Sequence, residues 1–143
     1  MNLIKITPNT EQAKNILMMV SLLESRIKLQ DPKTMSSLIL ADYYEIIKEI
    51  ITALLLVDGY KTVSHKDLIE YISLYYKTVF LSHELIILND LRILRNRIVY
   101  EGYHTPPHYL DRNEALFKQI ISKCKDLLKN KISSLPNLSS SSL

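Results

Sequence analysis

Only two glycines, Gly59 and Gly102, a single cysteine, Cys124, and no tryptophan occur in this chain of 143 residues. Two glycines supply too few tight turns for an all-β fold. They also exclude a phosphate-cradling loop, whose backbone needs clustered glycines to approach its ligand. One cysteine excludes a disulfide framework and a cysteine metal cluster. No His-Glu-x-x-His, calcium loop or Gly-x-Ser-x-Gly occurs. The longest apolar runs, Ile16 to Leu23 and Ile50 to Val57, are broken by Ser21 and Thr52. Both fall short of the roughly 18 to 20 residues a membrane-spanning helix needs. The first residues, Met-Asn-Leu-Ile-Lys-Ile-Thr-Pro, hold no apolar stretch of signal-peptide length. The expected address is therefore the cytoplasm.

What is present is apolar and helix-forming. Hydrophobic residues make up 47% and charged residues 23%, the balance of one ordinary folded domain. The net charge of +3 is small but unevenly spread. Residues 92 to 131 hold nine Lys/Arg against four Asp/Glu, and the rest of the chain holds nine against eleven. The C-terminal part is the side better suited to a polyanion.

The periodicity predicts five helices. Residues 1–9 form a lead-in, and Asn9 or Thr10 caps a first helix to about Lys28. Its stripe is Ala13, Ile16, Leu17, Val20, Leu23 and Ile27. Asp31-Pro32 signals the start of a second helix, ended by Gly59 and with nearly continuous apolar positions from Ile46 to Val57. Ser64 and Asp67 cap a third. Ser82 opens a fourth that Gly102 closes. Two prolines then exclude helix over Tyr103 to His108, and Asp111-Arg112-Asn113-Glu114 caps a fifth. Helices and short loops in this order make an all-α, up-and-down antiparallel bundle over 10–132. The Ser-rich segment 133–143 is expected to be disordered.

Asp42, Glu45 and Glu49 share one face of the second helix. Without a Glu-x-x-His partner they are expected to be a solvated face rather than a metal site. His104 and His108 are two ligands in a loop, too few for a metal centre. No metal and no cofactor is expected.

The segment with chemistry in it is Leu91-Arg92-Ile93-Leu94-Arg95-Asn96-Arg97-Ile98-Val99-Tyr100-Glu101-Gly102-Tyr103-His104. On a helical wheel Ile87, Leu91, Leu94 and Ile98 fall within about 60° and face the core. The adjoining flank mixes Leu88 and Val99 with Arg92 and Arg95, and Asn96, Tyr100 and Tyr103 lie beside it if the helix continues. Arg among aromatics is the composition of interface centres and phosphate sites.

This segment resembles the motif of the HEPN superfamily: an Arg, a polar residue after it, and a His separated from the Arg by four to six residues, near the end of the fourth helix. Arg95-Asn96 matches the first two elements and Tyr100 occupies the His position. Arg97 with His104 is a second alignment that keeps the His. Gly59-Tyr60-Lys61-Thr62-Val63-Ser64-His65-Lys66 after a long second helix is also similar to this family. The resemblance implies a symmetric homodimer with two fourth helices lining a cleft, binding RNA or a nucleotide. It also implies kinship with metal-independent endoribonucleases of toxin–antitoxin type, whose partner is a minimal nucleotidyltransferase.

In that chemistry Arg95 neutralises the phosphate, Asn96 orients it, and a His moves the proton. Tyr100, with an ordinary pKa near ~10, is a poor base but stacks or donates a hydrogen bond. Either His104 supplies proton transfer, or the protein binds RNA without cutting it. Arg92 and Arg97 are candidate accessory phosphate contacts, with Glu101 a rival partner for Arg97. Tyr103 is a candidate RNA contact, and His65 reads as structural. The alternative function is a non-catalytic module that docks a nucleotidyltransferase or another protein.

Overall fold

The computed structural model describes residues 1–135. Its five helices are α1 (Thr10–Lys28), α2 (Ser36–Asp58), α3 (His65–Tyr75), α4 (Ser82–Glu101) and α5 (Pro107–Ser134). The fold is an all-α bundle, as the periodicity predicts. Its order follows from what α2 is made of. Ile46, Ile47, Ile50, Ile51, Ala53, Leu54, Leu55, Leu56 and Val57 spread over most of the circumference and are all buried. A helix apolar over so much of its surface must be enclosed, and α2 packs against each of the other four.

Polar pairs give the helix directions. Asn9 at the start of α1 donates its amide to Leu56 at the end of α2, and Arg26 near the end of α1 binds Asp42 near the start of α2. These two helices are antiparallel. Tyr43 with Glu114, and Asp58 with Lys131, set α2 and α5 parallel. Glu84 near the start of α4 meets Gln119 and Lys123 well along α5, so those two are antiparallel.

Four boundaries differ from the sequence expectation. Residues 1–9 are not merely a lead-in. Ile4–Lys5 (β1) pairs antiparallel with Tyr60–Lys61 (β2), and the Ile6 amide donates to the Gly59 carbonyl at 2.9 Å. Asp31 caps a turn and not α2. Its carboxylate accepts the Lys33 amide, and its carbonyl accepts those of Thr34 and Met35. The helix begins at Ser36 instead, because two serines there grip a distant loop. Buried Ser36 donates its hydroxyl to the Thr105 carbonyl (2.9 Å), and Ser37 Oγ accepts the Thr105 amide (2.7 Å).

Helix α5 starts at Pro107, not at Asp111. The expectation counted two prolines as breakers, but Pro107 sits at the first helical position, where no amide donor is needed. Its end runs through Ser133 to Ser134, so the helix takes the first residues of the expected tail. Residues 136–143 lie outside the described residues.

Two polar clusters, one half-buried and one buried, lock the helices. Asp58, unfavourably placed at the C-terminus of α2, accepts the hydroxyls of Tyr71 and Tyr76 and pairs with Lys131. This ties α2, α3 and α5. Fully buried Glu84 accepts the Leu81 amide (2.7 Å), Lys123 Nζ (2.7 Å) and Gln119 Nε2 (2.9 Å). Burial opposes its charge, but Lys123, the Leu81 amide and Gln119 together hold its pKa below the usual carboxylate value.

Gly59 sits at φ +90°, and an added Cβ would lie 3.1 Å from the Ile6 carbonyl oxygen. Gly59→Ala is therefore expected to cost about 1–3 kcal/mol, read from the urea midpoint. Glu84→Gln should cost on the order of 2 kcal/mol at neutral pH. Because the folded-state pKa of Glu84 is depressed, its stabilisation is complete above the ordinary carboxylate value of ~4.3. It disappears as pH falls through the folded value, so the gap between wild type and variant should close on acidification. A pH-independent gap would contradict this.

Candidate functional site

The buried line of α4 is Glu84, Leu88 and Leu91, spaced four and three apart. Leu88 belongs to the core and not to the mixed flank, while Ile87, Leu94 and Ile98 are only partly buried. The same line continues to Arg95. The core-facing stripe thus ends in a guanidinium.

That guanidinium is held between two rings. Its central carbon lies 5.8 Å from the Tyr44 centroid and 5.7 Å from that of Tyr100, within the range where a cation is attracted to a ring face. Tyr44 is 2% exposed and Tyr100 73%, so Arg95 bridges the core and the surface. Its Nη1 donates to Asn96 Oδ1 at 3.2 Å. Arg92 donates twice to Asn89 Oδ1, at 3.2 and 3.1 Å. Among the described residues, neither arginine is in an ion pair.

The structure adds a residue that the sequence reading set aside. His65, the first residue of α3, is partly buried with its ring 6.0 Å from that of Tyr44. Burial, then the charges of Lys48, Arg95 and Arg92, lower its pKa against the opposing effect of Glu45. Burial also pushes the Tyr44 hydroxyl up to about 12, with Arg92 and Arg95 pulling it back. His65, Tyr44, Arg92 and Arg95 are therefore one electrostatic neighbourhood. The only linear cue was a His directly after the Ser64 cap, which says nothing of proximity to residue 95.

On its other side Arg95 lines a depression of about 450 Å³ with Met19, Leu23, Asp42, Glu45 and Val99. The carboxylates here are partly exposed and ion-paired. Asp42 is bound by both ends of the Arg26 fork and by Gln30, and Lys48 pairs with Glu45 and Glu49. The acidic side chains on this side are matched by Arg26 and Lys48, whereas Arg92 and Asn96 flank Arg95 along α4 and His65 feels its charge.

The remaining candidates fall elsewhere. Gly102, at φ +67°, ends α4 and turns the chain back, so the Tyr103 amide donates to the Arg97 carbonyl. Tyr103 therefore leaves the flank on which a continuing helix would have put it. Its ring lies 3.9 Å beneath the Arg97 guanidinium, and Arg97 stacks there in place of pairing with Glu101. Both line a groove between α4 and α5. His104 is exposed in a third depression, beside Ser37 and Lys33. Arg95, Asn96 and Tyr100 are thus brought together, Arg97 joins Tyr103, and His104 shares a depression with Tyr103 but with neither Arg95 nor Arg97.

Compared with known proteins, the chain matches no family model, no curated protein and no solved structure. No helix among the described residues is long and apolar enough to cross a membrane.

The site predicts its own titration. His65 should titrate below the ordinary histidine value of ~6.5, and Arg95→Ala should move it upward by removing a positive neighbour. Proton NMR of the imidazole resonances reads both. An unchanged His65 titration in the variant would separate the two residues.

Proposed function

We propose that this protein is a HEPN-type homodimer of the cytoplasm that binds RNA through Arg95 and Arg92. The observation that carries this reading is Arg95 itself: a guanidinium at the end of the buried stripe, positioned by two tyrosines and Asn96, with no carboxylate partner among the described residues. A pre-oriented, unneutralised Arg is suited to a phosphodiester.

The outward side of α4 supports the dimer. Ile86, Ile93 and Tyr100 recur every seven residues and are all exposed. A seven-residue stripe is the seam that two helices crossing at a shallow angle use. Asn89 and Asn96 fall at the intervening seam positions, and Arg92 flanks them. Pairing two copies there sets two Arg92/Arg95 clusters along one groove.

RNA binding is favoured over cutting. His104 lines a different depression from Arg95, so the loop histidine is poorly placed to serve that phosphate. His65 is the imidazole whose titration feels Arg95, and any cleavage would draw on it. Exposed Met18, Met19 and Leu22 on α1 favour a second reading, in which that face docks a protein such as a nucleotidyltransferase.

In chelator, labelled single-stranded RNA should bind the wild type with affinity that falls steeply with salt. Arg95→Ala should weaken it about tenfold or more, while His104→Ala should leave it unchanged. Ile93→Asp should yield a monomer in sedimentation. Wild-type affinity in Arg95→Ala, or no binding by the wild type, would refute the proposal. If fragments appear on the gel, His65→Ala and not His104→Ala should remove them.

A further inference from the structure

Helix α1 carries two apolar faces where a surface helix needs one. At the helical turn per residue, Ala13, Ile16, Val20 and Ile27 fall within about 60° of one another and pack into the core. Met18, Leu22 and Leu29 fall within about 40° on the opposite side, and they are 70%, 64% and 88% exposed. Leu29, just past the last residue of α1, keeps helical backbone and so stays on that line. With exposed Ser25 between them, these residues follow at intervals of four, three and four. That spacing is the seam by which one helix packs along another.

The polar atoms near the seam are turned away from a partner. Ser21 donates its hydroxyl to the Leu17 carbonyl (3.3 Å), and Ser25 donates to that of Ser21 (3.1 Å). The strip therefore offers thioether, methyl groups and small serines with no free hydroxyl proton. Glu11, the carboxylate of α1 without an ion pair among the described residues, stands in the first turn, beyond the apolar strip.

One flank of the seam is basic. Lys14 and Lys28 lie about 40° apart on the same side of α1, and Lys28 shares a depression with Lys118 of α5. The next depression along this furrow holds Lys118 and Lys129. All four lysines are exposed, and none is in an ion pair among the described residues. The acids of the furrow are mostly engaged. Glu24 pairs with Lys125, and Glu114 accepts the Tyr43 hydroxyl, which leaves Asp126. On the other flank Arg26 is neutralised by Asp42, beside exposed Met19.

We infer that this face of α1 seats a helix of another protein, apolar along one stripe and acidic along the edge that meets Lys14, Lys28, Lys118 and Lys129. Charge selects that occupant over a second copy of this chain. Two such faces laid antiparallel about Ser21 would set Lys14 of one against Lys28 of the other. Laid parallel, they would set Lys14 beside Met19 and again supply no carboxylate. Carboxylates on the incoming helix meet the lysines, whereas a basic helix meets like charge. The inference rests on the docking reading of this face and is independent of the RNA reading, because none of Arg92, Arg95 or α4 enters it.

A labelled heptad peptide with Leu along its seam and Glu on its flanks is the probe, read by fluorescence anisotropy against the full chain. Its controls are the same peptide with Lys flanks and a scrambled Glu peptide. The Glu peptide should bind saturably, at least about tenfold tighter than either control. Leu22→Glu should weaken it about tenfold or more. Reversing both flank charges, Lys14→Glu with Lys28→Glu, should shift the preference toward the Lys peptide. These positions are exposed, so the variants should keep the wild-type helical circular dichroism and RNA affinity. No saturable binding, unchanged affinity in Leu22→Glu, equal binding of the scrambled peptide, or tighter capture by phosphatidylglycerol vesicles would overturn the inference. Equal binding of both heptad peptides, lost in Leu22→Glu, would overturn the acidic partner and leave the docking reading standing.

Discussion

Enclosure of α2 is the constraint on which the other elements depend. From Ile46 to Val57 every residue but Lys48, Glu49 and Thr52 is buried, over most of the helix circumference. No single neighbour can cover such a helix, so α1, α3, α4 and α5 must surround it. Each of them then needs only one apolar stripe and keeps the rest of its surface for polar work. The arrangement of the candidate sites follows from this division. Helix α4 gives its inner line to Leu88 and Leu91, and its three remaining sides carry arginine, exposed isoleucine and a groove.

Nonspecific burial would hold α2 without fixing the rotation of its neighbours. Rotation is set by polar groups that have one satisfactory partner. Glu84 cannot turn away from Lys123, Gln119 and the Leu81 amide without stranding a charge in the core. That anchors the start of α4 against α5. At the other end Thr105 is clasped by Ser36 and Ser37. Between two fixed ends the azimuth of α4 is determined, and with it the direction in which Arg92, Arg95 and Arg97 leave the helix.

The helix count, the α1 stripe, the central part of α2 and both glycine caps could be read from the residues, because periodicity and capping are local. The start of α2 could not, since it depends on Thr105, 69 positions away from Ser36. Pro107 misled by type: a breaker inside a helix is a favoured residue at its first position. Within the site, the Arg95–Asn96–Tyr100 grouping was readable because one helix carries all three. His65 was not, because its nearness to Tyr44 and Arg95 arises only when α3 folds onto α2 and α4. The wheel also placed Leu88 one column off, since the core line tilts to include Glu84, a charge that hydropathy counts as surface.

A consequence of this geometry concerns Arg95 and Arg97. Two residues apart on a helix they point about 160° away from each other, and the chain uses that divergence. Arg95 leans on Tyr44 toward α2 and α3, and Arg97 leans on Tyr103 toward α5. In each case a tyrosine ring lies beside the guanidinium, at 5.8 Å for Arg95 and 3.9 Å for Arg97, and among the described residues no carboxylate pairs with it. Had either Arg been meant only for stability, an Asp or Glu one turn away would serve, and Glu101 stands in that position for Arg97 without being used. The same device applied on opposite sides of one helix argues for two anion-facing surfaces, with the outward stripe of Ile86, Ile93 and Tyr100 between them.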